Sequence, residues 1–96
     1  MRLSSMEHRV VVEEIRKFLP DARIFLYGSR ADDRLKGGDI DILVISRPVP
    51  LLDKIDMLAA MKSRIGEQKI DLKIVPPEAA ETDAFVQSVL PMAVAL

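Results

Sequence analysis

The sequence predicts a small α/β (α+β) domain, a mixed β-sheet with helices packed on it, in the order α-β-α-β-α-β-α. Three observations support that class. Short β-prone apolar runs alternate with segments of helical period. Glycine and proline fall between those segments and not inside them. Hydrophobic residues make up 49% of a 96-residue chain, which is enough to bury one core. Aromatics are only 4%, so that core is built from Val, Ile, Leu, Met and Ala. No internal repeat, linker or low-complexity tract divides the chain, and residues 1–96 are expected to form a single domain.

The elements follow in order. Val11, Ile15, Phe18 and Leu19 stand at i, i+4, i+7 and i+8, marking an amphipathic helix over about Ser5 to Leu19. Pro20 and Asp21 end it. Arg23 to Tyr27 is a β-prone run stopped by Gly28. Ser29 to Lys36 is polar, a short helix or turn, and Gly37-Gly38 is a turn signal. Asp39 to Ser46 reads as a mostly buried strand, broken by Pro48 and Pro50. Leu51/Leu52, Ile55, Leu58/Ala59 and Ile65 mark a second helix closed by Gly66. Ile70 to Val75 is a third strand, ended by Pro76-Pro77. A last helical segment begins near Glu78 or Thr82 and carries Phe85, Val86, Val89 and Leu90. A right-handed crossover is expected between the second and third strands, because a helix joins them.

Composition excludes several classes. There is no cysteine, so disulfides and Cys-based zinc sites are out, and a reducing cytoplasmic setting is the default expectation. No signal peptide and no membrane-spanning stretch is apparent. Net charge is −1, from 14 basic and 15 acidic residues. A domain holding nucleic acid mainly by its phosphates carries a basic excess, so stable nucleic-acid binding is not expected.

The chemistry concentrates in Gly28-Ser29-Arg30-Ala31 and Asp39-Ile40-Asp41. Residues i and i+2 of a strand share a face, so Asp39 and Asp41 project together while Ile40 and Ile42 face the other way. Paired carboxylates repel and resist desolvation. A hard divalent cation removes both penalties, with phosphate oxygens completing its shell. Asp71 sits near the start of another strand. Should the strands be neighbours in register, it joins the pair, and three carboxylates can hold two metals about 4 Å apart for in-line phosphoryl displacement. Gly28 allows close backbone approach to a ligand, Ser29 offers a hydroxyl at the start of a short helix, and Arg30 can neutralise phosphate. No Gly-Lys-Ser/Thr follows, so this is not a P-loop.

Taken together, Gly28-Ser29-Arg30-Ala31, a spacer, Gly38-Asp39-Ile40-Asp41-Ile42-Leu43-Val44 and Ile70-Asp71-Leu72 resemble the signature of the DNA polymerase β-like nucleotidyltransferase superfamily. The resemblance covers nearly the whole chain. Its length resembles the minimal nucleotidyltransferases, antitoxin-type partners of HEPN proteins. One departure is Gly38, where many members carry Ser. The resemblance implies that Gly28 and Ser29 hold the β- and γ-phosphates of ATP, and that Asp39 and Asp41 bind Mg²⁺ ions, two in number. It further implies that Asp71 completes one metal site and helps deprotonate the attacking hydroxyl. The implied acceptor is a tyrosine hydroxyl on a HEPN-domain partner.

Plainer readings stand beside these. Arg30 and Arg34 read equally as phosphate contacts or as solvated charges. Asp32 and Asp33 read as surface acids of the spacer, and His8 as a surface residue. Met57, Met61 and Met92 read as core filler. The apolar run Leu90 to Leu96 either completes the core or forms a partner or homo-oligomer surface. Against the enzyme stands a binding module, catalytically weak, that neutralises a HEPN partner by occlusion. Transfer to a nucleic-acid or antibiotic acceptor is disfavoured by the missing substrate domain and basic excess.

Overall fold

The computed structural model describes residues 1–96. Helix α1 spans Ser5–Phe18 and opens on a reciprocal cap: Ser4 Oγ accepts from the Glu7 N–H at 3.0 Å, and Glu7 Oε1 accepts from the Ser4 N–H at 2.9 Å. Strand β1 (Arg23–Tyr27) leads into a single 3₁₀ turn at Gly28–Ala31. Strand β2 (Ile40–Ile45), helix α2 (Leu51–Ile65) and strand β3 (Ile70–Val75) form a β-α-β unit whose two strands are parallel, the pairing a helical crossover delivers. Two short helices, α3 (Ala79–Thr82) and α4 (Ala84–Val89), a 3₁₀ turn at Leu90–Met92 and strand β4 (Val94–Ala95) complete the chain.

The sheet order is β3-β2-β1-β4, with β1 antiparallel to both β2 and β4. It is the expected mixed sheet with helices on it. Alternation along the strands separates two apolar clusters. Ile24, Leu26, Ile40, Ile42, Val44, Ile70 and Leu72 pack under α1 and α2, against Val10, Val11, Ile15, Met57 and Met61. Leu43, Ile45 and Val75 face the other way, against Ala79 and Val86.

Three expectations need correction. The last helix is split at Asp83, whose carboxylate accepts from the Val86 N–H at 3.2 Å and starts a new helix there. The terminal run adds an unforeseen fourth strand: Leu26 pairs with Val94, and the Leu96 N–H donates to Ile24 O at 2.9 Å. Met92 within that run is 75% exposed, so it is not core filler as Met57 and Met61 are. In α2 the expected bounds hold, yet Leu51, Leu52 and Ile55 face solvent while Met57 and Met61 are buried. At about 100° per residue, the apolar positions of α2 cover more than half its circumference, so periodicity did not select the inward face.

Candidate active site

Strand register decides where the acids lie. Asp41 of β2 is the Cα partner of Asp71 in β3 and, on its other side, of Tyr27 in β1. Directly paired residues point to the same face of a sheet. Asp41, Asp71 and Tyr27 therefore share the face opposite α1 and α2. Asp39, two residues ahead of Asp41, is exposed at the mouth of β2, as Asp71 is at the mouth of β3. Asp41 and Asp71 thus stand side by side on one sheet face, and Asp39, just ahead of β2, is near enough for its charge to act on Asp41.

Their charges are poorly compensated. Burial, then the carboxylates of Asp71 and Asp39, push the Asp41 pKa above its ordinary value, and Lys69 offsets this in part. Lys69 Nζ stands 3.5 Å from Asp39 Oδ2 and is itself largely exposed. Burial together with Asp71 and Asp41 also raises the Tyr27 phenol, which keeps it neutral. No three acidic or imidazole side chains are drawn tightly enough to grip an ion by themselves. Mg²⁺ does not require such a cage, because it is commonly held by one or two carboxylates with substrate phosphates and water. An oxygen-only donor set with excess negative charge and one surface lysine fits a hard divalent cation.

The glycine-serine corner touches this acid cluster. Gly28 has φ +74°, and a Cβ built there would lie 2.3 Å from Asp41 Oδ2. Only glycine combines that conformation with that proximity. Gly38, at φ +90°, plays the same part toward Ser29: a Cβ there would fall 2.0 Å from Ser29 Oγ. The residue that departs from the common motif is thus the one that leaves room for the Ser29 hydroxyl. The expected short helix after Gly28 is one 3₁₀ turn, too short to build a macrodipole, so any phosphate affinity rests on local N–H groups and the hydroxyl.

The model of the nucleotidyltransferase domain family matches residues 8–91, nearly the whole chain. The chain belongs to the nucleotidyltransferase domain family. Nucleotidyl transfer is the chemistry of these domains, which generally use an NTP and a divalent metal. The fold and the ordering of corner and acids are consistent with a minimal member of the polymerase β-like group. Comparison with curated proteins finds no match.

In this nucleotidyltransferase domain Arg30 is neither a solvated charge nor a free phosphate ligand. Its guanidinium donates to Gly38 O at 3.1 Å, Arg2 O at 3.0 Å and Gln68 Oε1 at 3.3 Å, and lies 3.7 Å from Glu7. Burial works against the Glu7 charge, but the Ser4 N–H, Gln68 and Arg30 outweigh it and hold its pKa low. Arg34 instead pairs with the Asp32 carboxylate, holding that acid's pKa at about 2.

Sequence reasoning missed Arg2. Its side chain donates to Ser29 O at 2.7 Å, Gly37 O at 2.9 Å and Asp32 O at 3.2 Å. Arg2, three residues ahead of α1, thereby holds both ends of the loop joining the corner to the acids. Tyr27 and Phe85 were missed as well. Their rings meet edge to face at 5.6 Å, and Lys73 Nζ lies 4.2 Å from the Phe85 centroid. The β-alternation signal places Tyr27 and Lys73 on the acid face. No local signal brings Phe85 there.

Proposed function

We propose that this nucleotidyltransferase domain transfers AMP from ATP to a protein hydroxyl, a tyrosine of a HEPN-domain partner, as the antitoxin of a toxin–antitoxin pair. The observation that carries the reading is the in-register Asp41–Asp71 pair set against the Gly28-Ser29 corner. Gly28 and Ser29 hold the β- and γ-phosphates. Asp39, Asp41 and Asp71 are the residues that would hold Mg²⁺, two ions in the full complex. The metal, when bound, supplies charge neutralisation at the α-phosphate and the leaving group.

The acceptor oxygen attacks the α-phosphorus and forms a new P–O bond. The bond from that phosphorus to the α,β-bridging oxygen breaks, and pyrophosphate leaves. Asp71, the more exposed of the paired acids, takes the hydroxyl proton. Placement of the acceptor in line contributes the rest of the rate. Arg30 supports the corner by its backbone hydrogen bonds and is not assigned to phosphate.

A second reading, a catalytically weak module that neutralises its partner by occlusion, has support in the exposed Leu51, Leu52, Ile55 and Met92. A homo-oligomer through the C-terminal segment would use Met92, since Val94 and Ala95 are engaged with β1. Net charge −1, without a basic excess, speaks against an acceptor held mainly by nucleic-acid phosphates. No helix is long and apolar enough to cross a membrane.

The test is incubation of purified partner with this domain, ATP and Mg²⁺. An AMP mass gain on a partner tyrosine is expected, lost with Asp39→Asn/Asp41→Asn or with EDTA. No gain on a folded partner, together with neutralisation that survives the double substitution, establishes occlusion instead.

A further inference from the structure

Beside the corner lies a cleft of about 560 Å³, lined among others by Tyr27, Gly28, Leu35, Ser88, Val89 and Met92. It opens between the spacer after the 3₁₀ turn and the end of α4. Its volume falls in the range of small-molecule sites. Gly28 joins it to the acid cluster, because the Gly28 Cα sits directly against the Asp41 carboxylate. Leu35 is 48% exposed and Met92 75% exposed. Two large apolar side chains thus stand open on one cleft, one contributed by each wall.

We propose that this cleft takes the nucleoside end of the nucleotide, with the base held between Leu35 and Met92 above Val89. The inference rests on the proposed function and adds to it the place of the base and ribose. An α-phosphate at Asp41 has the cleft on one side, past Gly28, and Ser29 next along the chain. The β- and γ-phosphates run to Ser29, and the nucleoside turns the other way, into the cleft. Unbranched methionine adapts to a flat ring and offers a polarisable sulfur to it. The polar complement also suits a nucleoside. Ser88 Oγ donates its proton to Phe85 O at 2.7 Å, which leaves the hydroxyl oxygen free to accept. With Asp33, whose carboxylate also pairs with the Met1 ammonium through Oδ1 and keeps its second oxygen, the cleft offers acceptors to ribose hydroxyls and to an exocyclic amino group.

Two ligands separate this inference from the reading beneath it. Calorimetry compares Mg·ATP with Mg·tripolyphosphate on wild type, Leu35→Ala and Met92→Ala, both substitutions being at exposed positions and expected to leave the melting temperature unchanged. Each substitution is expected to weaken ATP binding about fivefold, from roughly 1 kcal/mol of lost apolar contact, and to leave tripolyphosphate binding unaltered. Equal effects on the two ligands, or none on ATP, overturn the nucleoside site. Adenosine alone, followed by amide shifts, gives the second measurement: shifts centred on Leu35, Ser88, Val89 and Met92 support the cleft, and shifts elsewhere or none overturn it. Wild type that binds neither polyphosphate ligand refutes the transferase reading, while the adenosine shifts still decide the cleft.

Discussion

The two faces of the sheet use the same strands to opposite ends. Under α1 and α2, a cluster of 14 buried residues includes Ile40, Ile42 and Val44 of β2. On the other face the cluster has only 5, and the same strand contributes Leu43 and Ile45 but also Asp41. The short helices α3 and α4 cover that second face at one end and leave the acids open at the other. A period of two thus lets one strand of six residues serve as core on one side and as site on the other. Stability is concentrated on the long-helix face, and the acid face carries like charges that oppose folding.

Breaking each face in turn should separate the two roles. On the proposed function Asp41→Asn removes a metal ligand worth several kcal/mol of charge stabilisation, so transfer should fall roughly 10³-fold. Without Mg²⁺ the same variant should melt higher than wild type, because a carboxylate pushed up by burial and by Asp71 and Asp39 has been neutralised. Calorimetric scans with and without Mg²⁺ check this, and a variant that melts lower in both would contradict the contrast. Met57→Ala, on the opposite face, should cost about 3 kcal/mol of stability in urea unfolding, with turnover of the remaining folded protein unchanged.

Smaller perturbations sharpen the same contrast. Gly28→Ala forces φ +74° on a residue with a Cβ and drives that Cβ into the Asp41 carboxylate. It should cost about 1–2 kcal/mol of stability, with an additional loss of kcal-scale transition-state binding read as a fall in kcat. Glu14 gives the mildest test. Its side chain is 4% exposed, and hydrogen bonds from Arg64 at 2.8 Å and Lys17 at 3.0 Å hold its pKa below the ordinary 4.5. A lowered carboxylate stabilises fully above its unfolded pKa, and that contribution disappears as pH falls through the folded value. Glu14→Gln should therefore cost about 1–2 kcal/mol at pH 7 and flatten the acid limb of the stability profile below pH 4.5. A limb as steep as wild type would refute it.

Much of this arrangement was legible in the residue order. Asp39 and Asp41 were readable because strand alternation is local, and Gly28 because a turn after a β-run needs it. Asp71 could be placed on its strand, but its alignment with Asp41 depends on how α2 docks, which no local pattern encodes. The inward face of α2 was ambiguous because apolar residues surround most of that helix. Strand β4 escaped notice because two residues give no alternation to detect. Arg2, and the loop-bracing role of Arg30, escaped for a different reason. Their partners are carbonyl oxygens 27 to 35 residues away or on the neighbouring arm, and a carbonyl has no residue type by which to recognise it.

The arginine latch on the Gly28–Gly38 loop bears on the thermodynamics of ligand capture. A loop already fastened through Ser29, Asp32, Gly37 and Gly38 surrenders little motional freedom when a ligand arrives. Capture of polyphosphate should consequently carry a small unfavourable loop entropy, and cutting the latch with Arg2→Ala should turn a rigid receptor into one that must freeze on contact.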